Sequence, residues 1–215
     1  MKLISVNVGL PREVIWKRRT VSTGIFKEPV RGRVKLRSLN LDGDGQADLT
    51  VHGGVEKAVY AYPFEHYAYW RSELPDIELT LGNFGENFTT TGLREEEVNI
   101  GDRFLVGNVK LMVTQLRMPC YKLGIRFGRA DMVKRFLASR RTGFYFSVLQ
   151  EGEVGVGDIL ELVSRDNNNI TVADITQLYA REQTDPDLLR RDAQLKALPE
   201  SWRDYFQEQG RQDLN

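Results

Sequence analysis

The sequence contains one cysteine, Cys120, and two histidines, His52 and His66, among its 215 residues. A single thiol forms no internal disulfide, and alone it cannot hold a structural zinc ion or an iron–sulfur cluster. A zinc site would need several carboxylates beside the histidines, and neither an HExxH nor a CxxC spacing is present. Disulfide, zinc and iron–sulfur chemistry are therefore excluded.

Several other signatures are also missing. There is no P-loop, no Rossmann glycine fingerprint and no GxSxG nucleophile elbow. No run approaches the ~20 apolar residues that span a bilayer, and Met1–Val8 is too short and polar for a signal peptide. Lys plus Arg and Asp plus Glu both total 30, and this balance argues against a nucleic-acid or polybasic membrane partner. We expect a cytoplasmic protein.

What is present over most of the chain is a pattern of short strands. The clearest signal is a hairpin in which Gly107-Asn108 joins Arg103–Val106 to Val109–Thr114. Many short strands at close spacing predict a closed or partly closed β-barrel. Strands are also expected at Leu3–Val8, Arg33–Leu36, Gly143–Gln150 and Asp158–Val163.

Helical patterns interrupt the strands and then dominate the C-terminal part. Pro63–Leu74 and Asp131–Ala138 each place apolar residues at helical spacing. Composition shifts near Ser164, which predicts a β-barrel domain at 1–163 and a three-helix domain at 164–215. The tail helices are expected around Ile175, Leu178 and Tyr179, from Asp185, and from Pro199 with Trp202, Tyr205 and Phe206. Such a small bundle needs its own core, docks on the barrel, or completes a homodimer.

Cys120 is either a small buried residue or a reactive thiolate, meaning a nucleophile or a soft metal ligand. Arg117 and Lys122 lie nearby in sequence, and positive charges stabilise a thiolate. Pro119 biases Met118 toward an extended conformation, which would present Cys120 at the end of a strand. These neighbours favour the reactive role, although composition alone leaves both roles open because free cysteine is so commonly buried.

Two glycine-containing stretches are further candidates for a site. His52-Gly53-Gly54 with Lys57 would bring backbone N–H groups and charge to an anion; the alternative is a tight turn between strands. Gly85-Glu86-Asn87 is either a bulge that aims polar side chains at a site or an ordinary turn. His66 lies in an aromatic helical stripe and is interpreted as a packing or surface residue.

In chain order these stretches resemble the MOSC domain, the module named for the C-terminal part of molybdenum-cofactor sulfurase. Gly143-Phe144-Tyr145 and the helical tail resemble more narrowly its YiiM-like subgroup, whose bacterial members carry a C-terminal three-helix extension. The resemblance covers nearly the whole chain. The matching residues are Gln46-Ala47-Asp48, His52-Gly53-Gly54, Lys57-Ala58-Val59-Tyr60, Phe84-Gly85-Glu86-Asn87, Gly101-Asp102 and Arg117–Leu123.

The resemblance implies a mainly β, MOSC-type β-barrel with a few peripheral helices. It implies that Cys120 is the protein ligand to molybdenum carried by a molybdopterin cofactor and is the catalytic residue. The anionic phosphate of that cofactor would require cations and backbone donors. The candidate cofactor-binding residues are His52, Gly53, Gly54, Lys57, Asn87, Arg117, Lys122 and Arg141.

The activity implied by the subgroup is two-electron reduction of an N–OH group to N–H, as in 6-hydroxylaminopurine, with Glu86 or His52 as candidate proton donors. The chain has too few cysteines for an iron–sulfur cluster and no flavin fingerprint, so the electrons must come from a separate reductase. One alternative is a sulfur or molybdenum-cofactor carrier that uses Cys120 without reducing a substrate. Another is a binding module without a metal.

Overall fold

The computed structural model describes residues 1–180 and 186–212. Asp185, the predicted start of the second tail helix, lies outside the described residues. Within them the strands are β1 (Lys2–Val8), β2 (Arg12–Trp16), β3 (Arg19–Thr23), β4 (Glu28–Pro29), β5 (Arg33–Leu36), β6 (Val59–Pro63), β7 (Phe88–Thr91), β8 (Arg103–Val106), β9 (Val109–Leu116), β10 (Phe144–Gln150), β11 (Gly152–Gly155) and β12 (Leu160–Ser164). The helices are α1 (Leu49–His52), α2 (Glu65–Glu73), α3 (Tyr121–Phe127), α4 (Met132–Ser139), α5 (Val172–Tyr179), α6 (Pro186–Gln194) and α7 (Glu200–Gln212), and a 3-10 turn covers Val55–Lys57.

An eight-stranded mixed sheet forms the centre of the molecule, in the order β12-β8-β9-β10-β6-β7-β1-β4. All its neighbouring strands are antiparallel except β6 and β7, which are parallel. Every residue of β6 is buried, as expected for a central strand that is covered on both faces. Two small antiparallel pairs, β11 with β5 and β2 with β3, lie outside this sheet.

The sequence predicted a closed or partly closed barrel, and the topology of the described residues corrects the closed alternative. In the described residues the two ends of the sheet are joined by an isolated bridge between Lys2 and Ile159 and by a few backbone hydrogen bonds around it. Beside this bridge Leu3 N donates to Asp158 O at 2.9 Å. The C-terminal end of β1 pairs instead with β4, through Asn7 and Val8. The described residues form no continuous ladder between β1 and β12.

Most of the predicted strands and helices are found with shifts of one or two residues at their ends. The predicted hairpin joins β8 to β9 through Gly107-Asn108, and Gly107 has a φ of 60°, as a primed hairpin turn requires. The hairpin of β2 and β3 was not predicted from the sequence. Its turn residues Lys17 and Arg18 have φ values of 49° and 64°, where Asn-Gly would be the usual signal.

Two apolar cores hold the fold together. The larger one joins sheet residues to the C-terminal helices through Ile175, Leu198, Trp202 and Phe206. Trp202 Nε1 also donates a hydrogen bond to Gln115 Oε1 of β9 at 2.9 Å. The tail therefore packs on the sheet and shares its core, while the boundary at residue 164 stays a prediction.

The second core is aromatic and lies under the pocket described below. Trp70 and Phe136 stack with ring centroids 5.9 Å apart, and Tyr62 and Phe84 stack at 4.5 Å. Stacked and edge-to-face pairs of this kind add to the free energy of burying the rings themselves. None of the helices in the described ranges is both long and apolar enough to cross a membrane.

Candidate functional site

A concave pocket with about 630 Å³ of space not filled by protein atoms, part of it open to solvent, lies where several connections meet. These are the loop after β3, the loop before α1, the 3-10 turn, and the segment between β9 and α3. Strands β6 and β10 contribute Tyr60 and Tyr145 to its wall. The remaining lining residues are Thr23, Gly24, Ile25, Lys27, Gly45, Gln46, Ala47, His52, Lys57, Gly85, Asn87, Arg117, Met118, Cys120 and Lys122.

Cys120 lines this pocket between a strand and a helix. Strand β9 ends at Leu116, after which Arg117 N donates to Gly143 O at 3.1 Å. Cys120 is the N-cap of α3, with extended backbone angles of −118° and 173°. Its thiol is half-buried and unpaired. This position on the pocket wall suits a presented thiol better than a core filler.

Arg117 is the most deeply buried cation near the thiol. It is only 6% exposed, and its guanidinium lies 5.3 Å from the ring of Tyr60 and 5.0 Å from that of Phe136. Nη2 donates to Phe84 O at 3.4 Å, whereas Nη1 is buried without a hydrogen-bond partner. An unsatisfied buried donor is costly. Because Arg117 lines the pocket, an anion bound there would supply the missing acceptor.

His52 is the last residue of α1, whose first turn is capped by Asp48 through a hydrogen bond from Thr50 N at 3.0 Å. Burial lowers the pKa of His52, and the charges of Lys122, Lys57 and Arg117 lower it further, while Asp48 opposes them. His52 is therefore neutral at pH 7. The same effect indicates that Lys122, Lys57 and Arg117 all lie near His52 and give this side of the pocket a positive potential, which favours an anion.

Gly53 and Gly54 follow His52 without lining the pocket themselves. A Cβ on Gly53 would lie 2.9 Å from Leu49 Cδ2 and 3.0 Å from Leu49 Cα, so a side chain there would displace α1. Gly54 has a φ of 105°, in the region that favours glycine. The two glycines therefore fix the turn that leads from His52 to Lys57.

A second group of polar residues consists of Lys27 and Asn87, which line the pocket, and Asp44, which contacts both. Lys27 Nζ donates to Asp44 Oδ1, and neither side chain is appreciably exposed. Asp44 also accepts from Gly9 N and from Asn87 Nδ2, both at 2.9 Å. Burial lowers the pKa of Lys27, and the charge of Asp44 opposes that shift. This group is close to neutral overall.

Asn87 connects the two parts of the pocket. Its Oδ1 accepts from Tyr60 N at 3.1 Å, and its Nδ2 donates to Asn7 O as well as to Asp44. The side chain of Asn87 therefore joins β6 to the buried Lys27–Asp44 pair. Since Tyr60 is also the ring against Arg117, Asn87 positions both groups of polar residues.

Three residues named from the sequence lie elsewhere. Arg141 stacks over Tyr69 at 4.0 Å and donates to Ser139 O at 2.8 Å, outside the pocket. Glu86 is buried beneath the pocket wall rather than lining it, and accepts hydrogen bonds from Gly82 N, Phe84 N, Thr89 Oγ1 and Tyr67 Oη. Burial raises the pKa of Glu86. His66 is buried and lies 2.7 Å from Glu95 Oε2, which agrees with the packing alternative of its interpretation and not with the surface one.

Sequence reasoning missed Lys27 and Tyr145 as pocket residues, and it missed Asp44 as the buried partner of Lys27. Lys27 lies in a stretch without a motif, and Asp44 belongs to an acidic, glycine-rich stretch whose partner is not evident from its neighbours. In residues 1–180 and 186–212 no group of three or more His, Cys, Asp or Glu side chains is placed to hold a metal ion. A metal ion bound in this pocket would therefore need most of its ligands from a bound molecule rather than from protein side chains.

Comparison with known proteins places these features in a family. A family model described as "MOSC domain" matches residues 48–161, and one described as "YiiM-like, 3-alpha helix domain" matches residues 170–209. The "Uncharacterized protein YflK" of Bacillus subtilis (strain 168) is 41% identical over 204 residues, which are 95% of this chain and 92% of that protein. "Protein YiiM" of Escherichia coli (strain K12) is 38% identical over 182 residues, 84% of this chain and 81% of that protein.

Two further similarities bear on the site and the fold. A "Reductase" of Gibberella moniliformis (strain M3125 / FGSC 7600) is 33% identical over 178 residues, which are 81% of this chain but only 32% of that protein. The crystal structure of YiiM from Geobacillus stearothermophilus matches with a TM-score of 0.80 at 34% identity, over 96% of this chain and 97% of that one. The similarity to that structure extends through the C-terminal helices.

Proposed function

This chain belongs to the MOSC domain family, in its YiiM-like branch, and from that premise we propose that it is a molybdenum-cofactor-dependent oxidoreductase that reduces N-hydroxylated compounds such as 6-hydroxylaminopurine. The MOSC family is associated with binding of the molybdenum cofactor, and one relative is named a reductase. The observation that carries the proposal is the half-buried thiol of Cys120 in the same pocket as Arg117, whose buried Nη1 has no partner.

The residues of the pocket fit the chemistry of that cofactor. Molybdenum takes soft thiolate ligands, and Cys120 supplies one at the pocket wall. The phosphate of the pterin needs charged donors, which Arg117 and the pair of lysines Lys57 and Lys122 provide. Tyr60 and Tyr145 offer aromatic surface beside them, with ring centroids 5.3 Å apart. We assign these residues, with His52, to holding the cofactor.

When bound, the cofactor supplies the two-electron redox centre at which an N–OH bond is broken. The balanced reaction consumes R–NHOH, two electrons and two protons and releases R–NH2 and water. In the chain, His52 and Lys27 line the pocket and are the groups placed to move protons at Nε2 or Nδ1 and at Nζ. Glu86, the other candidate donor, does not line the pocket. The electrons come from a separate reductase.

The test uses protein produced in cells that make molybdopterin. We expect the wild-type protein to contain molybdenum and pterin and to consume 6-hydroxylaminopurine when a chemical donor supplies electrons. Cys120→Ala should lose molybdenum and at least a hundredfold of the rate while keeping its fold by circular dichroism. Ser147→Ala, a substitution of similar size on β10 outside the pocket, is the control and should retain both.

Two outcomes would contradict the proposal. A Cys120→Ala protein that holds molybdenum and turns over at the wild-type rate would exclude Cys120 as the metal ligand. A wild-type protein that holds the cofactor but leaves the N-hydroxylated base intact would instead indicate a cofactor or sulfur carrier.

A further inference from the structure

The hairpin of β2 and β3 stands apart from the rest of the sheet structure. Its five residue pairs, from Arg12 with Thr23 to Trp16 with Arg19, are all within the hairpin. No other named strand of the described residues pairs with it. Ile15 is 81% exposed, and Leu10, just before β2, is 66% exposed. The hairpin therefore projects apolar side chains into solvent.

The tip of the hairpin is strongly basic. Lys17, Arg18 and Arg19 follow one another and are all exposed, and within the described ranges no ion pair involves them. Lys17 and Arg18 adopt left-handed backbone angles, which cost roughly 1–2 kcal/mol per residue for side chains other than glycine. Asn-Gly would make the same turn without that cost. The fold alone gives no reason to keep three cations here.

The base of the hairpin is part of the pocket wall. Strand β3 ends at Thr23, and Thr23, Gly24 and Ile25 all line the pocket. A Cβ on Gly24 would lie 2.3 Å from Gly45 O, so this backbone touches the pocket loop directly. Arg12 also lies 3.9 Å over the ring of Phe26, one residue before Lys27. A protein bound to the hairpin would therefore lie beside the pocket.

We infer that the β2–β3 hairpin is the docking site for the protein that supplies electrons, and that this donor presents an acidic surface. The inference rests on the proposed function, which needs two electrons per turnover from outside a chain that has one cysteine. Charge complementarity identifies the acidic partner, with Ile15 and Leu10 as the apolar contact beside the charges. The relative named a reductase has about two thirds of its length outside the matched region, which leaves room there for an attached donor.

A protein donor is favoured over a nucleic acid by the position of the hairpin. The cluster has three cations on a chain with no net charge, which is a small footprint for phosphate-backbone binding. The base of the hairpin, by contrast, lines the pocket in which the electrons would be used. Electron delivery explains both the charge and the position.

The experiment compares two electron donors for the reduction of 6-hydroxylaminopurine by holoenzyme. One is reduced methyl viologen, which needs no docking site, and the other is reduced flavodoxin, an acidic FMN protein. The test variant carries Lys17→Glu, Arg18→Glu and Arg19→Glu together. The matched control carries Lys2→Glu, Arg103→Glu and Lys110→Glu, three exposed cations of strands β1, β8 and β9.

We expect both variants to keep the rate with methyl viologen. With flavodoxin at low ionic strength the hairpin variant should lose at least tenfold, the control should not, and the difference should shrink as salt is added. Titration of oxidised flavodoxin should show the same loss of affinity without turnover.

The outcomes separate this inference from the proposed function. Absence of turnover with methyl viologen in the wild type counts against the proposed function. Equal flavodoxin affinity and rate in the two variants, or a wild type that accepts electrons from methyl viologen but not from flavodoxin, overturns the docking site. Binding of a single-stranded RNA oligonucleotide that only the hairpin variant loses would assign the hairpin to nucleic acid and overturn it as well.

Discussion

Arg117 illustrates how a single buried side chain can indicate a ligand. Its guanidinium lies near the rings of Tyr60 and Phe136, with Nη2 donating to Phe84 O and Nη1 buried without a hydrogen-bond partner. A buried cation that is only partly hydrogen-bonded lowers stability. The arrangement is favourable once an anion binds, because charge-assisted hydrogen bonds then replace the missing ones.

Arg117→Met should therefore weaken anion binding without lowering the stability of the fold. We expect the affinity for inorganic pyrophosphate, a probe for the pterin phosphate, to fall at least tenfold, since a hydrogen bond to a charged group contributes about 1.5–3 kcal/mol. The free energy of unfolding in urea should stay the same or rise by about 1 kcal/mol. Arg141→Met, outside the pocket, is the control and should bind pyrophosphate normally. A variant that loses stability but keeps its affinity would contradict this account.

His52 gives a pH-dependent prediction. Its pKa is lowered below the ordinary value of 6.5 in the folded protein, so the unfolded chain binds a proton first as the pH falls. Stability contributed by this group is therefore complete above about pH 6.5 and is lost as the pH drops below it. His52→Gln should show a shallower loss of unfolding free energy between pH 7 and 5, measured by urea denaturation. An unchanged slope would exclude His52 as a contributor.

Lys27 and Asp44 should be energetically coupled. Lys27→Met leaves the carboxylate of Asp44 buried without its cation, and breaking a buried pair costs about 3–5 kcal/mol. Adding Asp44→Asn should recover part of that loss, because the second change removes the uncompensated charge. A double-mutant cycle in urea should give a coupling energy of at least about 1 kcal/mol. Additive effects would show that the pair is not a unit.

At the scale of elements, the sequence predicted those strands and turns that are specified by neighbouring residues. Gly107-Asn108 is a turn signal, and β8 and β9 form around it. The β2–β3 hairpin was missed because Lys17 and Arg18 give no such signal. Helix α3 was missed as well; it directly follows Cys120 and ends at Gly128, whose φ of 64° caps it. In both cases tertiary context selected a conformation that the local residues do not specify.

The turn of the β2–β3 hairpin can be made more stable by substitutions that also remove its positive charge. Replacing Lys17 by Asn and Arg18 by Gly removes two side chains from left-handed backbone and should raise the free energy of unfolding by about 1 kcal/mol or more. Thermal denaturation followed by circular dichroism measures this. Lys110→Asn, on the exposed side of β9, is a control for loss of charge and should leave stability nearly unchanged. A destabilised double variant would mean that the cations stabilise the turn.

On the scale of the whole molecule, the sequence indicated the pocket residues near Cys120 and missed Lys27 with its partner Asp44. His52, Lys57 and Lys122 lie within recognisable motifs near or before the thiol. Lys27 lines the pocket because the loop after β3 folds against it, and Asp44 pairs with Lys27 from the loop before α1. Contacts between distant segments of the chain carry no local signal, so the sequence could not reveal them.

The tail and the sheet should unfold together. Trp202 packs in the core that they share and bonds to Gln115 of β9. Trp202→Ala should lower the free energy of unfolding by about 3–5 kcal/mol and keep a single transition in urea by both fluorescence and circular dichroism. Tyr121→Ala, at an exposed aromatic residue of α3, is the control for loss of a ring. Two separate transitions in the wild type would show that the tail folds independently.

The thiol at the pocket wall also has a practical consequence. Because Cys120 is the only cysteine and is half-exposed, a maleimide reagent has one covalent attachment point on the entire chain. The modified fraction, read by mass spectrometry, then measures occupancy of the pocket directly, since a bound ligand shields the sulfur. The same chemistry would place a spin label or fluorophore beside the pocket without any substitution, and the label would report on ligand binding there.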